Sequence, residues 1–189
     1  MKLLFFDLET TGVLVNKHGI HQISGSVIID GEVKERFDLH VQPNPAAQID
    51  PAALEVAGVT EASIKAYPPM DEIYNKFVDM LSKYVDRYNK KDKFFLVGYN
   101  NASFDNQFLR AWFIQNGDKY FGSWFWSNSI DVMVVATPYL ADRRTEMENF
   151  KQGTVAKTLG IAVDDDKLHD ALYDIEICEA IYEKVCGKY

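Results

Sequence analysis

Two carboxylates at Asp7 and Glu9, inside Asp7-Leu8-Glu9-Thr10-Thr11-Gly12, are the first residues in the chain that could do chemistry. They follow an apolar run, residues 2–6, of the kind that forms a buried strand. A spacing of two puts both side chains on one face of that strand. Two anions so held repel each other unless a cation lies between them. Gly12 lets the backbone turn tightly and come close to a ligand. A pair of ordinary surface acids at a strand end fits the same spacing.

The second candidate is Asp105, in Asn100-Asn101-Ala102-Ser103-Phe104-Asp105, just beyond a strand over 94–99. It opens a helix, so a capping role is the plain alternative. The third is the pair His169 and Asp174, in His169-Asp170-Ala171-Leu172-Tyr173-Asp174. Five residues is about 500° of helix, so the two would not share a face of one continuous helix. With Asp170 as the cap, His169 sits just before the helix and Asp174 one turn inside it. A loop histidine and a helical acid can then converge. A surface histidine beside an exposed acid is the alternative.

Positioning these groups falls to elements with clear signals. Strands are predicted over 2–6, 21–29 and 33–41, the last two joined by Asp30-Gly31, a hairpin signal. Residues 43–69, rich in proline, carry short helical turns at 51–57 and after Thr60. A helix is predicted over 71–88, with Ile73, Phe77, Leu81, Tyr84 and Tyr88 on one apolar face. A buried strand follows at 94–99, then a helix from Asp105 stopped by Asn116-Gly117. Trp124–Trp126 reads as a loop or short strand, before a helix after Asp131 that Pro138 bends or ends. A short helix at 154–160 and a last helix over about 170–186 complete an α/β layered fold with a mixed sheet. No linker divides the chain.

Taken in order and at these separations, Phe6-Asp7-Leu8-Glu9-Thr10-Thr11-Gly12, Asn100–Asp105 and His169–Asp174 resemble the DEDDh exonucleases, the DnaQ-like, ribonuclease H-like 3′–5′ exonuclease family. The likeness runs from Phe6 to the last helix and includes Ala57-Gly58-Val59-Thr60, similar to a loop motif of that family. It implies a ribonuclease H-like α/β fold: a five-stranded mixed sheet of order 3-2-1-4-5, strand 2 antiparallel, with helices on both faces. It implies one exonuclease domain over 1–189. It implies four metal-binding acids, Asp7, Glu9, Asp105 and Asp174, holding two Mg2+ or Mn2+ ions, with His169 as general base. Asp7 would bridge, Glu9 and Asp174 would complete one ion, and Asp105 would hold the second. Thr10, Thr11, Gly12, Asn101 and Phe104 would meet the substrate, Phe104 by stacking. Asn100 departs from the family's usual histidine, at a position that holds no metal.

Hard cations with oxygen ligands suit this site, and two of them can stabilise both the attacking and the leaving oxygen of a phosphodiester. No cysteine belongs to the motifs, so a zinc thiolate site is excluded. The implied reaction is hydrolysis at single-stranded nucleic-acid 3′ ends, DNA favoured. RNA trimming by the same chemistry, or a silent nucleic-acid-binding module, are the alternatives.

Composition points the other way. Twenty Lys and Arg against 28 Asp and Glu give a net charge of −8, which disfavours a general phosphate-binding surface. Two divalent ions would halve that charge and make the site itself attractive to phosphate. Arg110, Arg143, Arg144, Lys151 and Lys157 could add a basic rim. Core packing is expected of Trp112 and Phe113, and exposure of Trp124, Phe125 and Trp126, as at an interface. The two cysteines, Cys178 and Cys186, lie about 12 Å apart along a helix, too far to bridge. Free thiols, no export signal and no membrane span suit the cytoplasm. No polymerase-tethering tail is expected, and a homodimer is compatible with the sequence.

Overall fold

The computed structural model describes residues 1–167 and 170–187. Five strands form one sheet: β1 (Lys2–Thr10), β2 (Ile20–Ile29), β3 (Glu32–His40), β4 (Phe95–Gly98) and β5 (Ile130–Asp131). Their order is β3-β2-β1-β4-β5. The β1–β2 and β2–β3 pairs are antiparallel, while β1–β4 and β4–β5 are parallel. The expected sheet order and strand directions are therefore those observed.

β1 runs to Thr10, four residues past the strand expected over 2–6. Its polar end stays paired with β2: Asp7 lies opposite Ser24 and Glu9 opposite Gln22, with a bulge between Glu9 and Thr10. The bulge ends the regular ladder where the chain turns into the Thr11–Gly12 loop, a common device beside functional sites.

Side chains alternate across β1 and found two cores. Leu4, Phe6 and Leu8 join Phe77, Phe108, Trp112 and Phe113 on one face. Leu3 and Phe5 join Val132, Val155, Ile175 and Ile181 on the other. The helices against the first face are α3 (Met70–Ser82) and α4 (Asp105–Gln115), after the short α1 (Pro51–Val56) and α2 (Glu61–Lys65). Those against the second are α6 (Val132–Tyr139), α7 (Gln152–Thr158) and α8 (Ala171–Cys186); the single-turn α5 (Phe121–Trp124) lies between α4 and β5.

Three expectations are corrected. The helix expected over 71–88 stops at Ser82. Asp86 accepts the Tyr88 amide at 3.0 Å and closes a local turn, the usual way a short polar side chain competes with helix. Tyr88 is 88% exposed, off the apolar face assigned to it. Trp124 and Phe125 are each 1% exposed, core rather than interface, because Phe125 bridges to Phe94 beside the sheet. Trp126 alone of the three is partly open. The fifth strand, β5, is a two-residue element whose sequence carries no alternation long enough to read, and Trp124 ends α5 rather than lying in a loop or short strand.

Candidate active site

The site lies where β1 and β4 end at their carboxyl edges, a usual crevice in open α/β sheets. Asp7 and Glu9 project from the same face of β1 and are both partly buried. Asp105 is the first residue of α4, yet it does not cap the helix. Phe104 holds the cap position without a side-chain bond, and one Asp105 oxygen accepts the Leu8 amide of β1 at 3.2 Å. That bond fixes the second carboxylate against the first motif. Asp170 caps α8 as expected, accepting the Tyr173 amide at 3.0 Å. Asp174 stands one turn in and shares a cavity of about 360 Å3 with Asp7, Lys151, Gln152 and Lys157. The Gln152 side chain donates to the Asp174 carbonyl at 2.6 Å.

The charges of Asp105, Glu9 and Asp174 all reach Asp7. Burial, then the charges of Asp105, Glu9 and Asp174, push the Asp7 carboxyl well above its ordinary value. Burial also raises Asp105, with Glu9 and Asp131 adding to the effect. Carboxylates are raised this way when buried among like charges. Four convergent oxygen donors of this kind fit a hard divalent cation. Among the described residues, no three His, Cys, Asp or Glu side chains already form a cage for one ion. His169 lies outside the described residues.

The loop that ends β1 is held from within. The Thr10 hydroxyl donates to Gly12 O at 2.9 Å, and the Thr11 hydroxyl donates to Gln48 O at 2.7 Å while accepting the Gly19 amide at 3.0 Å. Both threonines are buried, so their side chains are committed to the loop. Gly12 has φ +152°, and a Cβ there would come within 2.5 Å of the His18 ring. Asn101 is fully buried, its Nδ2 donating to Asn106 at 3.3 Å. Phe104 is partly open and its ring lies 4.9 Å from that of Phe108.

Asp131 was missed as a site residue. Only its place before a helix was legible. It is buried, caps α6 through the Met133 amide at 3.0 Å, and accepts the Asn100 and Ala102 amides at 3.0 and 3.3 Å. It thereby pins the turn that precedes Asp105. Asn100 takes φ +60° in that turn, a conformation asparagine tolerates better than most residues. That is a local reason for Asn100 at this position.

Cys178 also departs from expectation. It lies four residues after Asp174, on the same helix face, and lines a small cavity with Asp7, Gln152 and Asp174. Burial and then the charge of Asp7 push its thiol well up. Of the basic residues, Lys151 and Lys157 line the acidic cavity. Arg143 and Arg144 bond instead to the carbonyls of Thr158 and Met147.

The Exonuclease family model, RNase_T, matches residues 4–182. The chain belongs to the DnaQ-like 3′–5′ exonuclease family. It is an exonuclease domain with the ribonuclease H-like fold. It is 26% identical over 90% of its length to a Bacillus cereus DNA polymerase III of PolC type, and spans about a tenth of that protein (10%). It is 25% identical over 97% of its length to the DNA polymerase III epsilon subunit of Pasteurella multocida, covering 68% of that protein. Among solved structures, E. coli exonuclease I in complex with a dT13 oligonucleotide superposes with a TM-score of 0.77 at 20% identity, over 99% of this chain and 41% of that one. At that identity the likeness shows the fold. No described helix is long and apolar enough to cross a membrane.

Proposed function

We propose that this chain, acting as one domain over residues 1–189, is a metal-dependent 3′–5′ exonuclease on single-stranded ends, with DNA the favoured substrate. The observation that carries the reading is the raising of Asp7 by its burial and then by the charges of Asp105, Glu9 and Asp174, which lie close enough to act on it. Acids forced together at that cost are expected where a cation relieves them. Asp7, Glu9, Asp105 and Asp174 would hold two Mg2+ or Mn2+ ions. Bound there, the ions would stabilise charge on the attacking and leaving oxygens. DNA is favoured because the matched PolC-type and epsilon proteins are DNA polymerase III components and the matched exonuclease I carries dT13.

His169 is the proposed general base, taking the proton of the attacking water in its neutral form. The sequence supports this, since residue 169 directly precedes Asp170, the residue that caps α8. The three described histidines are committed elsewhere. His18 accepts the Leu14 amide through Nδ1 at 2.9 Å, and His40 stacks edge-on to Tyr67. His21 is fully buried, and burial followed by the charge of His40 lowers it to about 4. We further propose that Thr10, Thr11, Gly12 and Asn101 shape the substrate loop and that the Phe104 ring stacks on the terminal base. Two free cysteines fit a cytoplasmic setting.

End-labelled single-stranded DNA, single-stranded RNA and duplex DNA, matched in sequence, test the reading. Chelation should abolish hydrolysis, Asp7→Ala should cripple it with the fold retained, and a blocked 3′ end should protect. Cutting of circular strands, or full activity in excess chelator, would overturn it.

A further inference from the structure

A second cleft, about 560 Å3 in volume, runs along the outer side of α4 toward residues 126–129. No acidic side chain lines it, although the chain carries 28 Asp and Glu. Its wall begins at Ala102 and Asn106, which bracket Asp105, and continues through Gln107 and Arg110 to Ile114. Residues 106 to 114 of a helix span about 12 Å, room for roughly three stacked nucleotides. Arg110 has no carboxylate partner among the described residues and lies 4.3 Å from the centre of the Phe121 ring. Trp126 forms the opposite wall, with Lys93 5.3 Å above its ring. Past the cleft, Arg87 lies 5.8 Å from the ring of Tyr120, which is 65% exposed.

Amides, a free guanidinium and alternating cations and rings are what a single polynucleotide strand needs: charge for phosphates and flat faces for bases. We infer that this cleft is a strand track, holding the single-stranded nucleic acid 5′ to the scissile phosphate, with Arg110 on a phosphate and Trp126 and Tyr120 as stacking faces. The inference rests on the exonuclease reading for the strand's direction, and on the cleft alone for binding.

The test compares wild type, Arg110→Glu, Arg110→Ala and Tyr120→Ala, all full-length, on a dinucleotide and a single-stranded 10-mer in DNA and RNA versions. Arg110→Glu should raise KM for the 10-mer about tenfold while the dinucleotide is turned over as by wild type. Arg110→Ala should make the dependence of log KM on log salt shallower by about 0.7, one lost phosphate contact. The backbone with the larger Arg110 effect is the one the track holds. Anisotropy of a labelled 10-mer reads the track separately: about tenfold weaker binding by Arg110→Glu supports it even if wild type hydrolyses nothing. Unchanged 10-mer affinity and salt slope in both Arg110 variants overturn it.

Discussion

At the scale of single residues, the site stores electrostatic cost. Asp7 and Asp105 have folded-state values raised above their unfolded ones. A raised acid binds its proton more tightly in the folded chain. Without metal, these groups therefore weaken the fold as pH rises from about 4 toward neutrality. Asp105→Asn should flatten that decline and raise the metal-free Tm at pH 8 by roughly 2–4 °C, the equivalent of about 1 kcal/mol for a chain of this size. Melting curves in chelator across pH 4–8 check it. A lower Tm in the variant would mean that the Leu8 bond outweighs the repulsion.

The two ends of the His169–Asp174 segment should also fail differently. Asp174→Ala should weaken metal binding and turnover together. His169→Ala should leave metal affinity near wild type and slow turnover by roughly 10²–10⁴, the usual worth of a positioned base. Activity should rise with pH as His169 becomes neutral, and that limb should vanish in His169→Ala. Calorimetric titration beside single-turnover rates separates these outcomes. Wild-type turnover in His169→Ala would remove the general-base assignment.

At the scale of elements, β1 and α4 are tied by one amide, Leu8 to Asp105, and β5 and α6 are tied to the same corner by Asp131. Asp131 holds the Asn100–Ala102 turn that leads into Asp105. Asp131→Ala strands the amides of Asn100, Ala102, Met133 and Val134 and should cost about 1–3 kcal/mol. Asp131→Asn keeps an acceptor oxygen and should recover most of the stability. If positioning is the role, Asp131→Ala should lower kcat at saturating metal more than it raises KM, with rescue by the asparagine. Chemical denaturation and steady-state kinetics on both variants decide. Equal kcat in wild type and Asp131→Ala would leave Asp131 a helix cap and nothing more.

At the scale of the whole molecule, an acidic chain belongs to a nuclease family, and the conflict resolves locally. The negative charge gathers around Asp7, where the proposed cation site lies, while no described acidic side chain lines the α4 cleft. Metal that binds only the folded chain stabilises it by mass action, about 2.7 kcal/mol at a hundredfold excess over Kd. Saturating Mg2+ or Mn2+ should therefore raise Tm by roughly 5–10 °C, and the gain should disappear in Asp7→Ala. Differential scanning with and without chelator measures it. No shift in wild type would sink the metal site irrespective of any activity assay.

Most of the sheet was legible in the sequence because its signals are local. The 2–6 run, the Asp30-Gly31 turn and the Asn116-Gly117 stop each depend on a few adjacent residues, and the observed β1, β2, β3 and α4 agree with them. The cap at Asp170 and the common face of Asp7 and Glu9 follow from fixed periods of helix and strand. What the sequence could not show depends on contacts between distant segments. Asp105 reads as a cap until β1 supplies the Leu8 amide. Asp131 reads as a cap until the Asn100 turn folds onto it. Trp124 and Phe125 read as exposed until the Phe94 bridge draws them inward. Cys178 stands 171 positions from Asp7 and touches the same cavity only because α8 packs on β1. Local periodicity determines which face of its own element a residue takes; only packing decides what that face meets.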